Sequence, residues 1–220
     1  MNRRDFLAMT AAATVTGAVA PSTLEGRSNA FRLLAGTPPV TATEFARQRK
    51  FADNRFGRIA YIDRGKGDAV LFLHGFPLSS FQWRDVIDRL QTRRRCIAPD
   101  FLGLGFTEVA HGQSVAPAAQ VAMLATLLDQ LSVKSVDIIA NDSGGAVAQL
   151  FVVRYPERVR TLLLTNCDTE PDSPPPAVMP VIELARNGRF VEEMIVPQVK
   201  NPASARTPSG LGGLCYSDPS

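Results

Sequence analysis

The segment 135–155 constrains the fold more than any other part of this 220-residue chain. It starts with a short apolar run at 136–140, interrupted by one aspartate, which is typical of a buried parallel strand. The polar residues 141–143 follow, then two glycines and a run with helical apolar spacing that ends before Pro156. Because small residues allow a helix to pass close to the preceding strand, the segment predicts a tight strand–turn–helix unit.

A turn of this kind presents a nucleophile when it has the pattern small–x–nucleophile–x–Gly. With Asp142 at the tip, the flanking small positions are Ala140 and Gly144, and both fit. With Ser143 at the tip, the flanking small positions are Asn141 and Gly145, and only the glycine fits. The pattern therefore favours Asp142 as the nucleophile. An ordinary turn without chemistry is the structural alternative.

The letters Asp-Ser-Gly-Gly at 142–145 also match the serine site of chymotrypsin-like proteases. Those proteins are all-β and need an upstream histidine in a motif of its own. This chain has no such motif and continues directly into a helix, so the protease interpretation is rejected.

Strands and helices alternate along the chain, which predicts an α/β fold with a mostly parallel sheet. Right-handed crossovers would place the turn at the carboxyl edge of that sheet, where ligands bind in such folds. Predicted strands lie at 50–53 and 58–64, as an antiparallel hairpin at the sheet edge, and at 69–73, 96–99, 136–140 and 159–165. Predicted helices begin after Ser79 or Ser80, near Val121 and after the turn.

Composition excludes several function classes. The net charge is +3, and the basic clusters at 47–50 and 93–95 lack interleaved aromatics, so no nucleic-acid partner is expected. The Gly-x-Gly at 103–105 has no third glycine, which argues against a dinucleotide cofactor. The three cysteines, Cys96, Cys167 and Cys215, fit no metal spacing, so we expect no metal and no cofactor.

The first 20 residues resemble a twin-arginine export signal, because Arg3 and Arg4 precede a mild apolar run at 8–20. That run is too short and too weakly apolar for a stable membrane span. An amphipathic first helix is the alternative. Residues 21–46 have the composition of a linker. We therefore expect export through the twin-arginine machinery to the periplasm or medium.

Three motifs together resemble the α/β-hydrolase superfamily: HGFP at 74–77, DFLGLGFT at 100–107 and ANDSGG at 140–145. The resemblance covers roughly residues 48–170. With an aspartate at the turn, the chain resembles the branch that contains haloalkane dehalogenases, fluoroacetate dehalogenases and epoxide hydrolases. The resemblance implies an α/β-hydrolase fold with helices on both faces of the sheet. It also implies a core at 47–172 and the start of a helical cap at 173–220, with the last strands missing.

The resemblance also implies roles for individual residues. Asp142 would attack a saturated carbon of a small haloalkane or epoxide and form an alkyl ester. The backbone N–H groups of Phe76 and Ser143 would form the oxyanion hole. His74 would be structural, and His111 a solvated loop residue. Haloalkane dehalogenases usually hold the halide with Asn and Trp side chains where this chain has Phe76 and Ser143, so the substrate stays open.

The acid and the base of this chemistry are less clearly marked. In some relatives the acid follows the strand after the turn helix, near Asp168. In others an asparagine stands there, as Asn166 does, and the acid comes one strand later; the sequence favours this second pattern. The two histidines, His74 and His111, do not supply the base. We therefore expect a truncated chain that is alkylated without turnover.

Two other hypotheses stay open from the sequence. The first is an ester or lactone hydrolase that uses Ser143 in a shifted turn. The second is a non-catalytic α/β domain. The missing base favours this hypothesis, while the retained turn and the loop that contains Phe76 argue against it.

Overall fold

The computed structural model of the protein describes residues 40–167, 174 and 176–207. The predicted export signal at 1–20, most of the predicted linker at 21–46, Asp168 and Cys215 lie outside the described residues. Within the described part, none of the helices combines the length and the apolarity that crossing a bilayer requires.

Six strands form a single sheet in the order β1-β2-β4-β3-β5-β6. Strands β4, β3, β5 and β6 run parallel to one another. Strands β1 and β2 form an antiparallel hairpin at one edge, and β2 pairs antiparallel with β4. Each predicted strand is confirmed to within one residue at either end. The strands are β1 Lys50–Asn54, β2 Gly57–Arg64, β3 Ala69–Leu73, β4 Arg95–Pro99, β5 Val136–Asn141 and β6 Val159–Thr165.

The helices flank this mostly parallel sheet, and the predicted ones are present. Ser79 caps the helical turn before α2, since its hydroxyl accepts a hydrogen bond from the Phe81 N–H. In the described range the α-helices are α1 Ala42–Ala46, α2 Arg84–Leu90, α3 Pro117–Gln130, α4 Ser143–Arg154, α5 Met179–Arg186, α6 Val196–Lys200 and α7 Pro202–Ala205. Ser80–Trp83, Pro156–Arg158 and Pro176–Val178 are 3₁₀ turns, and Val191–Ile195 is a π-helical segment.

Helix α1 lies in the last part of the stretch predicted as a linker. Its Phe45 is 1% exposed and packs edge-on against the Phe81 ring, with ring centroids 5.4 Å apart. Five residues are too few for a helical pattern to be evident in the sequence, and burial of one aromatic ring fixes the segment against the domain.

The core is centred on β3, whose five residues are all buried. It lies between β4 and β5, so the loops that leave these three parallel strands meet at the same carboxyl edge. Those loops begin at His74, Asp100 and Asp142. His74 and Asp100 are the first residues of the first two motifs, and Asp142 is the tip of the turn in the third. The sheet therefore gathers the three sequence motifs at one edge, and the turn lies at the carboxyl edge as predicted.

Strand β6 has a partner strand only on its β5 side within the described part of the chain. Its Leu163 is 54% exposed, and Val153 of the neighbouring helix α4 is 80% exposed. This side of the sheet presents apolar surface, in contrast to the fully buried β3.

The amino ends of β3, β5 and β6 are joined by an ion pair between Asp137 and Arg160. The Arg160 guanidinium contacts both carboxylate oxygens, at 3.2 and 2.9 Å, and also donates to the Ala69 carbonyl at 2.7 Å. Thr161 and Arg94 donate to the same carboxylate. Burial alone would raise the pKa of Asp137, but the hydrogen bonds from Arg160 and Thr161 and the two arginine charges bring it below its ordinary value.

Replacing Asp137 by Asn should lower the free energy of unfolding by about 2 kcal/mol at pH 7, because the charged acceptor of several hydrogen bonds is lost. Since folding depresses the pKa of Asp137, its stabilisation is complete above the unfolded-state value of about 3.9 and is lost as pH falls through the folded-state value. The difference between wild type and variant should therefore shrink below about pH 4. Urea denaturation at a series of pH values measures this difference.

Asp68→Asn is the matched control, because Asp68 also pairs with Arg94 but its side chain is 74% exposed. An exposed pair of this kind should contribute less than about 1 kcal/mol. A wild-type-to-D137N difference that stayed constant from neutral to strongly acidic pH would contradict the assignment.

Candidate active site

Asp142 occupies the tip of the turn between β5 and α4. Its backbone angles are φ 53° and ψ −131°, a left-handed conformation that non-glycine residues adopt rarely and that concentrates at functional sites. Its N–H donates to the carbonyls of Thr165 and Asn166, at 3.4 and 3.2 Å. Ser143 is instead the first residue of α4, so the structure gives the tip position to the aspartate.

The glycines around the turn are required by close packing. A Cβ on Gly144 would lie 2.5 Å from the His74 carbonyl oxygen and 2.6 Å from that of Leu73. A Cβ on Gly75 would lie 2.7 Å from the Cβ of Asp142. Distances this short are not tolerated between carbon and backbone atoms, so the small residues allow α4 and the loop after β3 to approach each other.

The predicted oxyanion donors lie beside the predicted nucleophile. The Phe76 N–H donates to the Asp142 carboxylate oxygen Oδ1 at 3.0 Å. The Ser143 N–H is at the start of α4, where helix N–H groups have no intrahelical acceptor, and no described residue accepts a hydrogen bond from it. Two backbone donors and one carboxylate therefore meet at the carboxyl edge.

His74 is fully buried and both of its ring nitrogens contact the backbone. The Phe101 N–H donates to Nε2 at 3.0 Å, so Nε2 carries the lone pair and Nδ1 donates to the Gly75 carbonyl at 2.9 Å. Burial lowers the pKa of His74 below its ordinary value, outweighing the Gly75 hydrogen bond and the nearby charges of Asp100 and Asp142. A neutral imidazole with both nitrogens occupied fits the structural role expected for it.

Asp100, which opens the second motif, organises the loop after β4. It is fully buried, and its two carboxylate oxygens accept the N–H groups of Ser80 at 2.7 Å and Phe106 at 2.8 Å. The Thr107 hydroxyl donates to its backbone carbonyl at 2.7 Å. Asp100 therefore holds the loop that forms one wall of the site and is not available as a catalytic group.

A cavity of about 390 Å³ adjoins the turn. Ser143 and Phe76 line it, while Asp142 is not among its lining residues and lies beside Phe76. The amide of Gln120 is occupied by the backbone of Leu102 and Val115. The remaining lining residues are uncharged and mostly apolar: Phe101, Leu102, Gly103, Leu104, Val115, Pro117, Ala146 and Val147.

The remaining predicted residues are His111, Asn166, whose backbone carbonyl accepts a hydrogen bond from the Asp142 N–H, and Asp168. His111 is exposed on a turn before α3, as expected for a solvated loop residue. Asn166 is exposed, with φ 46°. Asp168 is not described. The described residues contain no cluster of side chains suited to a metal ion.

Gln82 was not among the residues predicted from the sequence. Its side chain is partly buried and bonds both the Gly75 N–H and the Asn141 side chain, so it contacts the loop after β3 and the residue before Asp142. One signal could have identified it: a glutamine stands between Phe81 and Trp83 in an otherwise apolar helical start.

The family described as the alpha/beta hydrolase fold matches residues 68–193, more than half of the chain. Among curated proteins, a 2-hydroxy-6-oxo-2,4-heptadienoate hydrolase of Pseudomonas putida is 41% identical over 46% of this chain and 38% of its own. Haloalkane dehalogenase 2 of Mycobacterium bovis is 34% identical over 54% of this chain and 42% of its own. The chain thus matches about two-fifths of the length of these relatives.

Among solved structures, an epoxide hydrolase of Vigna radiata superposes with a TM-score of 0.56 at 26% identity. The superposition covers 77% of this chain and 56% of that one. The likeness supports the same fold as the family match.

Gly144→Ala tests the close packing at the turn. In an open helical position this change would gain up to about 1 kcal/mol from helix propensity. Here the new methyl group would clash with two backbone carbonyls, so we expect a loss of about 2 kcal/mol in the free energy of unfolding. Urea denaturation gives the sign directly, and a stabilised variant would show that α4 does not approach β3 this closely.

Proposed function

We propose that this chain, which belongs to the alpha/beta hydrolase fold family, is a hydrolase whose nucleophile is Asp142. The observation that carries the proposal is the conformation of Asp142, the strained residue at the strand-to-helix turn with its carboxylate 3.0 Å from the Phe76 N–H. Such a turn holds its tip residue at the carboxyl edge of the sheet, next to the cavity that Phe76 and Ser143 line.

In the first step, a carboxylate oxygen of Asp142 attacks a saturated carbon. The new C–O bond forms as the bond to the leaving group breaks, and an alkyl ester of Asp142 results. The hydrogen bond from Phe76 occupies Oδ1 and leaves Oδ2 free to attack. This step consumes no proton when the leaving group is a halide; an epoxide oxygen takes its proton from water.

In the second step, water attacks the ester carbonyl and the negative charge develops on its oxygen. The N–H groups of Phe76 and Ser143 stabilise that charge, and each such donor typically contributes about 3 kcal/mol to lowering the barrier. The step also needs a base for the water. His74 has both nitrogens bonded to the backbone, so it does not serve as that base.

The cavity indicates a small, neutral substrate. Its lining carries no charged side chain, and burying a charge without a partner is costly. The named haloalkane dehalogenase and epoxide hydrolase relatives support a haloalkane- or epoxide-type substrate. We therefore place the apolar part of a haloalkane or epoxide in the cavity.

Incubation with 1-bromobutane should add the mass of a single butyl group to the protein, with the modified residue identified as Asp142 by peptide mapping. Asp142→Asn should abolish the adduct, because an amide is a poor nucleophile. Bromoacetate has the same leaving group with a negative charge and should react more slowly. Intact-protein mass spectrometry measures adduct formation in all three reactions: wild type with 1-bromobutane, Asp142→Asn with 1-bromobutane, and wild type with bromoacetate.

Asp85→Asn, which changes an exposed carboxylate, should retain the adduct. An adduct that survives Asp142→Asn, or continued release of butanol, would count against the proposal: the first would exclude Asp142 as the nucleophile, and the second would require a base within the chain.

A second candidate is a hydrolase of esters or lactones with Ser143 as the nucleophile. It is favoured by the position of Ser143 in the cavity lining. Against it, Ser143 is the first residue of a regular helix, and no described residue is hydrogen-bonded to its hydroxyl to activate it. Acylation by a 4-nitrophenyl ester that is lost in Ser143→Ala and retained in Asp142→Asn would establish this candidate instead.

A further inference from the structure

We propose that Gln82 is a positioning residue that fixes the oxyanion loop relative to the nucleophile through a relay of two side-chain amides. The relay consists of Gln82 and Asn141. It connects the Gly75 N–H to the Thr165 carbonyl, and so links the ends of β3, β5 and β6. The inference rests on the proposed function, because it concerns how the same site is held.

Four hydrogen bonds define the relay. The Gly75 N–H donates to Gln82 Oε1 at 2.9 Å, and Gln82 Nε2 donates to Asn141 Oδ1 at 2.6 Å. Asn141 Nδ2 then donates to the Thr165 carbonyl at 2.9 Å and to the Thr165 hydroxyl oxygen at 3.2 Å. All of these groups are partly buried, so none of the bonds is readily replaced by solvent.

The relay can run in one direction only. A backbone N–H can only donate and a backbone carbonyl can only accept, so the Gly75 and Thr165 ends fix both amide orientations. A residue that cannot donate at position 82 would place two acceptors against each other between positions 82 and 141. Shape alone therefore does not satisfy the relay; the order of donors and acceptors has to be right.

Both ends of the relay lie next to the reacting groups. At one end, Gly75 is followed by the peptide whose carbonyl accepts from His74 and whose N–H, that of Phe76, donates to Asp142. At the other end, the Thr165 carbonyl accepts both the Asn141 amide and the backbone N–H of Asp142. The relay therefore sets the distance between the oxyanion donor and the nucleophilic carboxylate.

Gln82→Glu tests the polarity of the relay without changing its shape. The introduced side chain, when ionised, would accept from Gly75 but could not donate to Asn141, so the rate of butyl-ester formation at saturating 1-bromobutane should fall at least tenfold at pH 8. When protonated, the same carboxyl group can donate again. The variant-to-wild-type rate ratio should therefore rise towards one as pH falls from 8 to about 5, near the ordinary titration range of a carboxyl group.

Taking the ratio at each pH removes any pH dependence that is common to both proteins. Gln113→Glu is the matched control, since the Gln113 amide contacts an exposed carbonyl in the loop before α3, and its ratio should not vary with pH. Gln82→Leu, which loses both bonds, should be slow at every pH. If it fails to fold, the Gln82→Glu variant alone carries the test.

The outcomes separate the two proposals. A wild-type protein that gains no adduct on Asp142 would overturn the proposed function. A wild-type protein that is alkylated, with a Gln82→Glu variant of equal rate at pH 8 or a ratio independent of pH, would overturn the relay and leave the proposed nucleophile in place.

Discussion

The close approach of helix α4 to the end of strand β3 is the constraint on which the site depends. Gly144 packs against the carbonyls of Leu73 and His74, and Gly75 packs against Asp142. At this separation the chain between β5 and α4 has room for one residue, and that residue takes a left-handed conformation. The strain at Asp142 is thus a consequence of packing, and the packed sheet around it keeps the strained turn in place.

A second constraint is the polarity of the backbone at the carboxyl edge. Strand ends leave N–H and carbonyl groups that no longer pair within the sheet, and buried groups of this kind need partners. The side chains of His74 and Gln82 in the connection after β3, and of Asp100 in the connection after β4, supply partners to such groups. These hydrogen bonds hold the two connections in place, which would allow backbone N–H groups to act as fixed donors towards a reacting atom.

The fold could be predicted from the sequence because its signals are local. The strands are short β-branched runs, and the turn has its small residues at fixed spacing, so Val136–Asn141 and Ser143–Arg154 follow from neighbouring letters. Gln82 could not be predicted in this way, since its partners are Gly75 and Asn141, and the latter is 59 positions away. Helix α1 was missed for the same reason, because the contact between Phe45 and Phe81 that holds it is distant in sequence.

The two steps of the proposed reaction require different groups from the chain. In the proposed reaction, attack on saturated carbon needs one carboxylate held in a fixed direction, and residues 74–76 and 142–143 at two adjacent strand ends would supply it together with the oxyanion donors. Removal of a proton from water needs a titratable side chain free to accept it, which a buried imidazole bonded on both sides is not. The feature that makes His74 a good support for the oxyanion loop is therefore what removes it from catalysis of the second step.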